Sequence, residues 1–157
     1  MASEWTGPAG VMQRAVLDAV SAAREHDADE FSTCLAGLSR LDREQLSTLL
    51  GTVVQALLER RHPDGLDSDD VDQLVELTVR SAAWYPRIDH DSVVRVIVGA
   101  LGVTEVDDEE RRVDGMTIIA HSLVLLADQL SGVRDGVRAL LDHGLRELHR
   151  AQTQEMP

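Results

Sequence analysis

Apolar residues recur every three or four positions from about Val11 to Arg150, broken only by short runs of Gly, Pro and Asp. That period predicts amphipathic helices, and no stretch alternates as a half-buried strand would. A first helix is expected over 11–26, with Met12, Ala15, Val16, Ala19, Val20 and Ala23 on one stripe. A second follows Asp27 or Asp29 and puts Phe31, Cys34, Leu35 and Leu38 on one face. The third starts at Asp42, with Gln45 three residues on as in a capping box, and is stopped by Pro63 and Gly65. Its stripe is Leu46, Leu49, Leu50, Val53, Leu57 and Leu58.

The fourth helix opens at Asp67, with Asp69, Asp70 and Asp72 in the first turn, where carboxylates complement the helix dipole. It is expected to run through Trp84 and Tyr85 until Pro86 ends it. The fifth begins near Asp89 or Asp91. Its β-branched run Val93, Val94, Val96, Ile97, Val98 makes a buried strand the competing reading. An acidic cap, the stop at Gly102 and the lack of a second strand decide for helix. The sixth, over 113–130, is apolar almost all round through 116–127 and belongs at the centre. The seventh, over 133–150, carries Val137, Leu140, Leu141, Leu145 and Leu148.

The pattern therefore predicts an all-α fold, a compact bundle of about seven helices in one domain over 1–157. Residues 1–10 are expected as a flexible lead-in and 151–157 as a flexible tail. Short connectors would make successive helices antiparallel neighbours. A short α-solenoid of helical hairpins is the alternative, disfavoured because the hairpins share no repeat and two apolar helices need cover on several sides.

Composition narrows the function classes. Among 157 residues, 28 acids face 15 bases, a formal charge of -13 that repels phosphate backbones and anionic lipid. Nucleic acid and membrane are therefore not expected as partners. All the bases are Arg, which removes Lys-based covalent chemistry and fits a GC-rich, bacterial coding sequence. Cys34 is the one cysteine, so no internal disulfide or Cys-based zinc site can form. The first ten residues lack the basic start and apolar run of a secretory signal, and the cytoplasm is the expected compartment. No cofactor is expected.

Candidate chemistry is sparse. The acidic connector 104–114 could hold a cation or a basic partner, although acid runs are usually solvated surface. Asp67 to Asp72 fails as a calcium loop, because Val71 stands where a ligand is needed. None of the six histidines makes the His-x3-His spacing that sets two imidazoles on one helix face. His121, inside the most apolar helix, lies two turns before Asp128, which could orient its ring. Trp84 and Tyr85 form the aromatic pair that could line a pocket or seal a bundle end.

The leading expectation is a non-enzymatic, acidic protein-interaction or regulatory module, binding a protein partner or forming a homodimer. Its interface would use exposed stripes on the edge helices at Val16, Val20, Leu141 and Leu145. The alternative is a small-molecule-binding bundle, with a pocket between the fourth, fifth and sixth helices at Trp84, Tyr85, His121 and Asp128. A hydrolase built on His121, Asp128 and the acidic connector comes last, since no motif supports it.

Overall fold

Aspartate starts most of the helices in this protein. A computed structural model describes residues 5–102, 114–130 and 136–154, and within them seven α-helices form and no strand. They are α1 (Gly7–Arg24), α2 (Ala28–Leu38), α3 (Arg43–Arg61), α4 (Ser68–Ser81), α5 (His90–Ala100), α6 (Gly115–Gln129) and α7 (Gly136–Gln154). Asp27, Asp42, Asp67, Asp89 and Asp114 precede α2 to α6, and each carboxylate accepts a backbone N–H of the first turn. Such a cap satisfies a donor with no partner inside the helix and contributes about 1 kcal/mol. At α4 the arrangement is reciprocal: Asp67 accepts from the Asp70 N–H at 2.8 Å, and Asp70 accepts from the Asp67 N–H at 3.1 Å.

Helix α6 is the centre of the bundle. Ile119 through Ala127 are all buried, under cover from α1, α3, α4 and α5. Its C-terminal turn carries no basic residue of its own, and two arginines from other helices serve it. Arg24 of α1 donates to the Leu130 carbonyl at 2.7 Å, and Arg61 of α3 donates to the Gln129 carbonyl. Guanidinium at a helix C-terminus satisfies orphan carbonyls and complements the dipole.

Helix α3 packs on α5, α6 and α7 rather than chiefly on its sequence neighbours α2 and α4. That arrangement is a closed bundle and excludes an array of hairpins. Adjacent connection makes principal neighbours of α1 and α2, α4 and α5, and α5 and α6 only. Where α3 meets α7 the backbones come close at Gly144, where a Cβ would lie 2.8 Å from Leu49 Cδ1 and 2.9 Å from Val53 Cγ2.

Several expected boundaries move. Helix α1 begins at Gly7 instead of 11, with Pro8 in the first turn, where the lack of an N–H costs nothing. Trp5 before it is also fixed, since its indole N–H donates to Asp142 of α7 at 2.8 Å. Helix α4 stops at Ser81, ahead of the aromatic pair, and the chain continues in tight turns with Tyr85 N–H donating to the Ala82 carbonyl and Ile88 N–H to the Tyr85 carbonyl. Pro86 disfavours helical geometry in the residue before it, so the unwinding reaches back through Tyr85. Helix α7 extends to Gln154, with the Thr153 hydroxyl bonding back to the His149 and Arg150 carbonyls. The β-branched run folds as helix α5.

The expected interface stripe is internal. Val16, Val20, Leu141 and Leu145 are at most 2% exposed and belong to the single core cluster. The stripes read as edges are the faces with which α1 and α7 meet their own neighbours. Among the described residues the exposed large hydrophobics are Val11, Leu77 and Leu101, on or beside three different helices. No described helix is long and apolar enough to cross a membrane.

Candidate functional site

The turn between α4 and α5 carries the aromatic pair into the bundle and joins rings from four parts of the chain. Phe31 of α2 meets Trp84 and Tyr85 edge-on, with centroids 5.4 and 5.3 Å away. His26 lies parallel to Trp84 at 5.6 Å, and Tyr85 meets His121 of α6 at 5.9 Å. His26 follows the end of α1 with φ 57, a left-handed backbone usually reserved for glycine. Its N–H donates to Ala23 and that of Asp27 to Ala22, which closes the helix end and turns the imidazole onto Trp84.

The four residues expected to form one pocket are divided between two hollows on either side of this turn. Trp84 and Asp128 line a cleft of about 170 Å³ with Arg24, His26 and Ser81, over a floor of Ala23, Ala82, Val124 and Ala127. Tyr85 and His121 line a groove of about 480 Å³ between α2, the aromatic turn and the first half of α6. A third hollow of about 570 Å³, between the starts of α1 and α7, holds none of the four.

His121 does not pair with Asp128. Its Nδ1 donates to the Thr117 carbonyl at 2.7 Å, and its Nε2 accepts the Asp89 N–H at 3.0 Å. Both ring nitrogens are thereby used, and the imidazole is the neutral Nδ1–H tautomer. Burial is the main force holding its pKa below the ordinary value, against the Thr117 carbonyl and the Asp89 charge. An imidazole in that state ties the start of α5 to α6; it has no nitrogen left for a substrate proton or a metal. Asp128 instead accepts from the Ser81 hydroxyl at 2.5 Å. Two turns of helix separate it from His121, and the intervening side chains fill the core.

Tyr85 differs from its neighbours. The residue is 6% exposed, its ring is enclosed by Phe31, Trp84 and His121, and its hydroxyl, which no described hydrogen bond engages, opens into the groove. Burial pushes its pKa up, and the charge of Arg87 opposes the shift. Arg87 is exposed and lines the same groove. The other walls are Leu35, Ala36, Met116 and Ala120, with Ser32, Ser39, Asp114 and Thr117 as polar residues. Asp114 is committed to the Met116 N–H as the α6 cap, and the Ser39 hydroxyl donates to the Ala36 carbonyl.

Sequence reasoning did not reach Arg24, His26 and Ser81 in the first hollow, or Ser32, Ala36 and Arg87 in the second. Arg87 had a usable signal, lying two residues beyond Tyr85 across a proline. His26 had none, because glycine is the residue that ordinarily marks its backbone geometry.

Cys34 is half-buried on α2, and burial followed by the nearby Glu30 carboxylate raises its pKa, which makes it a poor nucleophile. Thr78 of α4 holds a buried hydroxyl without a partner among the described residues, and it lines neither hollow beside the turn. No cluster of three or more His, Cys, Asp or Glu among the described residues is placed to hold a metal. The acids 105–110 of the expected cation or docking strip lie outside the described residues. No protein-family model, curated protein or solved structure matches this chain, so its geometry alone bears on function.

Proposed function

We propose that this protein is a small-molecule-binding helical bundle and that the groove between α2 and α6 is its site. The observation that carries this reading is a hollow of about 480 Å³ lined by the nearly buried Tyr85, whose side chain no described hydrogen bond engages. Ligand sites commonly measure about 300–1,000 Å³ and combine apolar walls with a few polar groups, and the groove has both. The cleft at Trp84 falls below that range and already spends its carboxylate on Ser81. A reading based on protein partners loses the surface expected for it, since Val16, Val20, Leu141 and Leu145 lie in the core.

The test is a thermal-shift screen of small apolar and amphipathic compounds, run on the wild type and on Ala36→Trp. Ala36 is exposed on the groove wall, so an indole there fills the space without disturbing the core. Compounds present at one hundred times their dissociation constant stabilise by about 2.7 kcal/mol, a rise of several degrees. The rise is expected in the wild type and is expected to vanish in Ala36→Trp at unchanged helical content. A screen in which every hit stabilises both proteins equally, or in which nothing binds, rejects the site.

A further inference from the structure

The groove has a chemical bias as well as a shape. We infer that it takes a small apolar carboxylate, whose carboxylate is held by the Arg87 guanidinium and the Tyr85 hydroxyl while its apolar body lies along Leu35, Ala36, Met116 and Ala120. The inference rests on the binding reading above and adds the class of ligand.

Two observations point to an anionic head group. Tyr85 brings an O–H to the groove that no described residue accepts, although its ring is enclosed. The ring is enclosed while the hydroxyl opens into the groove, where an arriving acceptor can replace water at the O–H. Arg87 is the cation of the groove lining, and its exposed guanidinium enters no ion pair or hydrogen bond among the described residues, although its backbone lies against His121. Its charge is felt at the Tyr85 hydroxyl, so the two donors work on neighbouring space.

A guanidinium fork and an O–H suit the two oxygens of a carboxylate, and charge-assisted bonds of this kind are about twice as strong as neutral ones. Ser32 and Thr117 add hydroxyls along the same walls. His121 cannot compete for the head group, because both of its nitrogens are already bonded. One cation matches a monoanion. The Asp114 carboxylate at the rim weighs against a dianion such as phosphate. The overall charge of -13 acts at long range, where salt screens it within about 8 Å, while the Arg87 contact is local.

Hexanoate, hexanamide and leucine are the probes, titrated into the full-length isotope-labelled protein at pH 7 and followed by NMR. Hexanoate is expected to shift the Leu35, Ala36 and Ala120 amides and to bind at least about tenfold more tightly than hexanamide. Arg87→Gln, a change at an exposed side chain, is expected to bring hexanoate down to the level of hexanamide and leave hexanamide unchanged. Tyr85→Phe keeps the ring contacts and is expected to lower hexanoate binding in part. Leucine binding as tightly as hexanoate supports a carboxylate whose ammonium faces Asp114, and weaker leucine binding supports a plain carboxylic acid. Equal binding of hexanoate and hexanamide to the wild type overturns the carboxylate inference and leaves the groove as a binding site. No shift at the groove with any probe overturns this inference, while a hit of other chemistry in the compound screen would keep the groove as a site.

Discussion

At His121 the commitment of each ring nitrogen fixes the charge state, and the charge state makes stability depend on pH. A proton on Nε2 would set two donors, the ring N–H and the Asp89 N–H, against each other in a site 1% exposed. Desolvation of the buried ring is the main reason the folded-state pKa lies below the ordinary value of 6.5 of the unfolded chain, against the Thr117 carbonyl, the Asp89 charge and the Arg87 backbone. The stability tied to the neutral ring is present above pH 6.5 and is lost as pH falls through that value toward the lower, folded one. Urea midpoints at pH 7.5 and 5.5 are expected to show this decline in the wild type and a shallower one in His121→Gln. The Gln amide oxygen can accept the Asp89 N–H, so the substitution itself is expected to cost only about 1 kcal/mol at pH 7.5. Burial of His121 was legible from the apolar run around it. Its partners were not, because Asp89 is far away in sequence and offers a backbone group, which no residue pattern encodes. Asp128, two turns along the helix, had the right chemistry on the right face and was taken by Ser81 of α4.

Helices α3, α4 and α5 were the most legible because three signals coincided there: the 3.6 period, an aspartate in front and a Gly or Pro behind. Asp42 and Asp67 were read as caps, and the structure has each accepting an N–H three residues later. Ends governed by tertiary contact were harder. Helix α4 was expected to reach Tyr85, yet it unwinds after Ser81 so that the rings can meet Phe31 and His121. Glycine gives a sharper example, since its meaning depends on what stands opposite. Gly51 of α3 is exposed, with nothing within 4 Å of a Cβ position, whereas Gly144 of α7 faces Leu49 and Val53 in the core. Gly51→Ala is expected to stabilise by about 0.5–1 kcal/mol through helix propensity. Gly144→Ala gains the same propensity but forces α7 off α3, and overpacking costs about 1–3 kcal/mol. Chemical denaturation is expected to move the two midpoints in opposite directions. Matching increases in both would show that the α3–α7 contact has slack.

Over the whole molecule, the core draws on all seven helices, and α6 ties distant parts together. Stripes on α1 and α7 that looked like free edges close against α6 and α3. Periodicity reports that a face is buried but not whether the cover comes from the same chain, which is why these positions could be read as a free edge although the chain's own helices cover them. Substitutions there test the chain's own fold. Val16→Asp puts an unpaired carboxylate where exposure is 0%, a cost of several kcal/mol against a total of about 5–15. Leu141→Ala is expected to cost about 2–5 kcal/mol. Circular dichroism during urea unfolding is the measurement, with large midpoint losses expected in both. A folded protein of normal stability but halved mass would instead mark these residues as a contact between copies. The charge of -13 was also legible at this scale, and capping gives five aspartates a structural use without assigning the remaining acids one.

The stacked rings have an optical consequence. Trp84 sits 5.6 Å from a parallel imidazole and 5.8 Å from the phenol at the groove floor. A phenol so near passes its own excitation across to the indole. With Trp5 exchanged for Phe, the fluorescence of this protein comes from one indole beside Tyr85. Any occupant that displaces that phenol alters the emitted light, so the molecule carries a built-in dye at the place where an occupant is proposed.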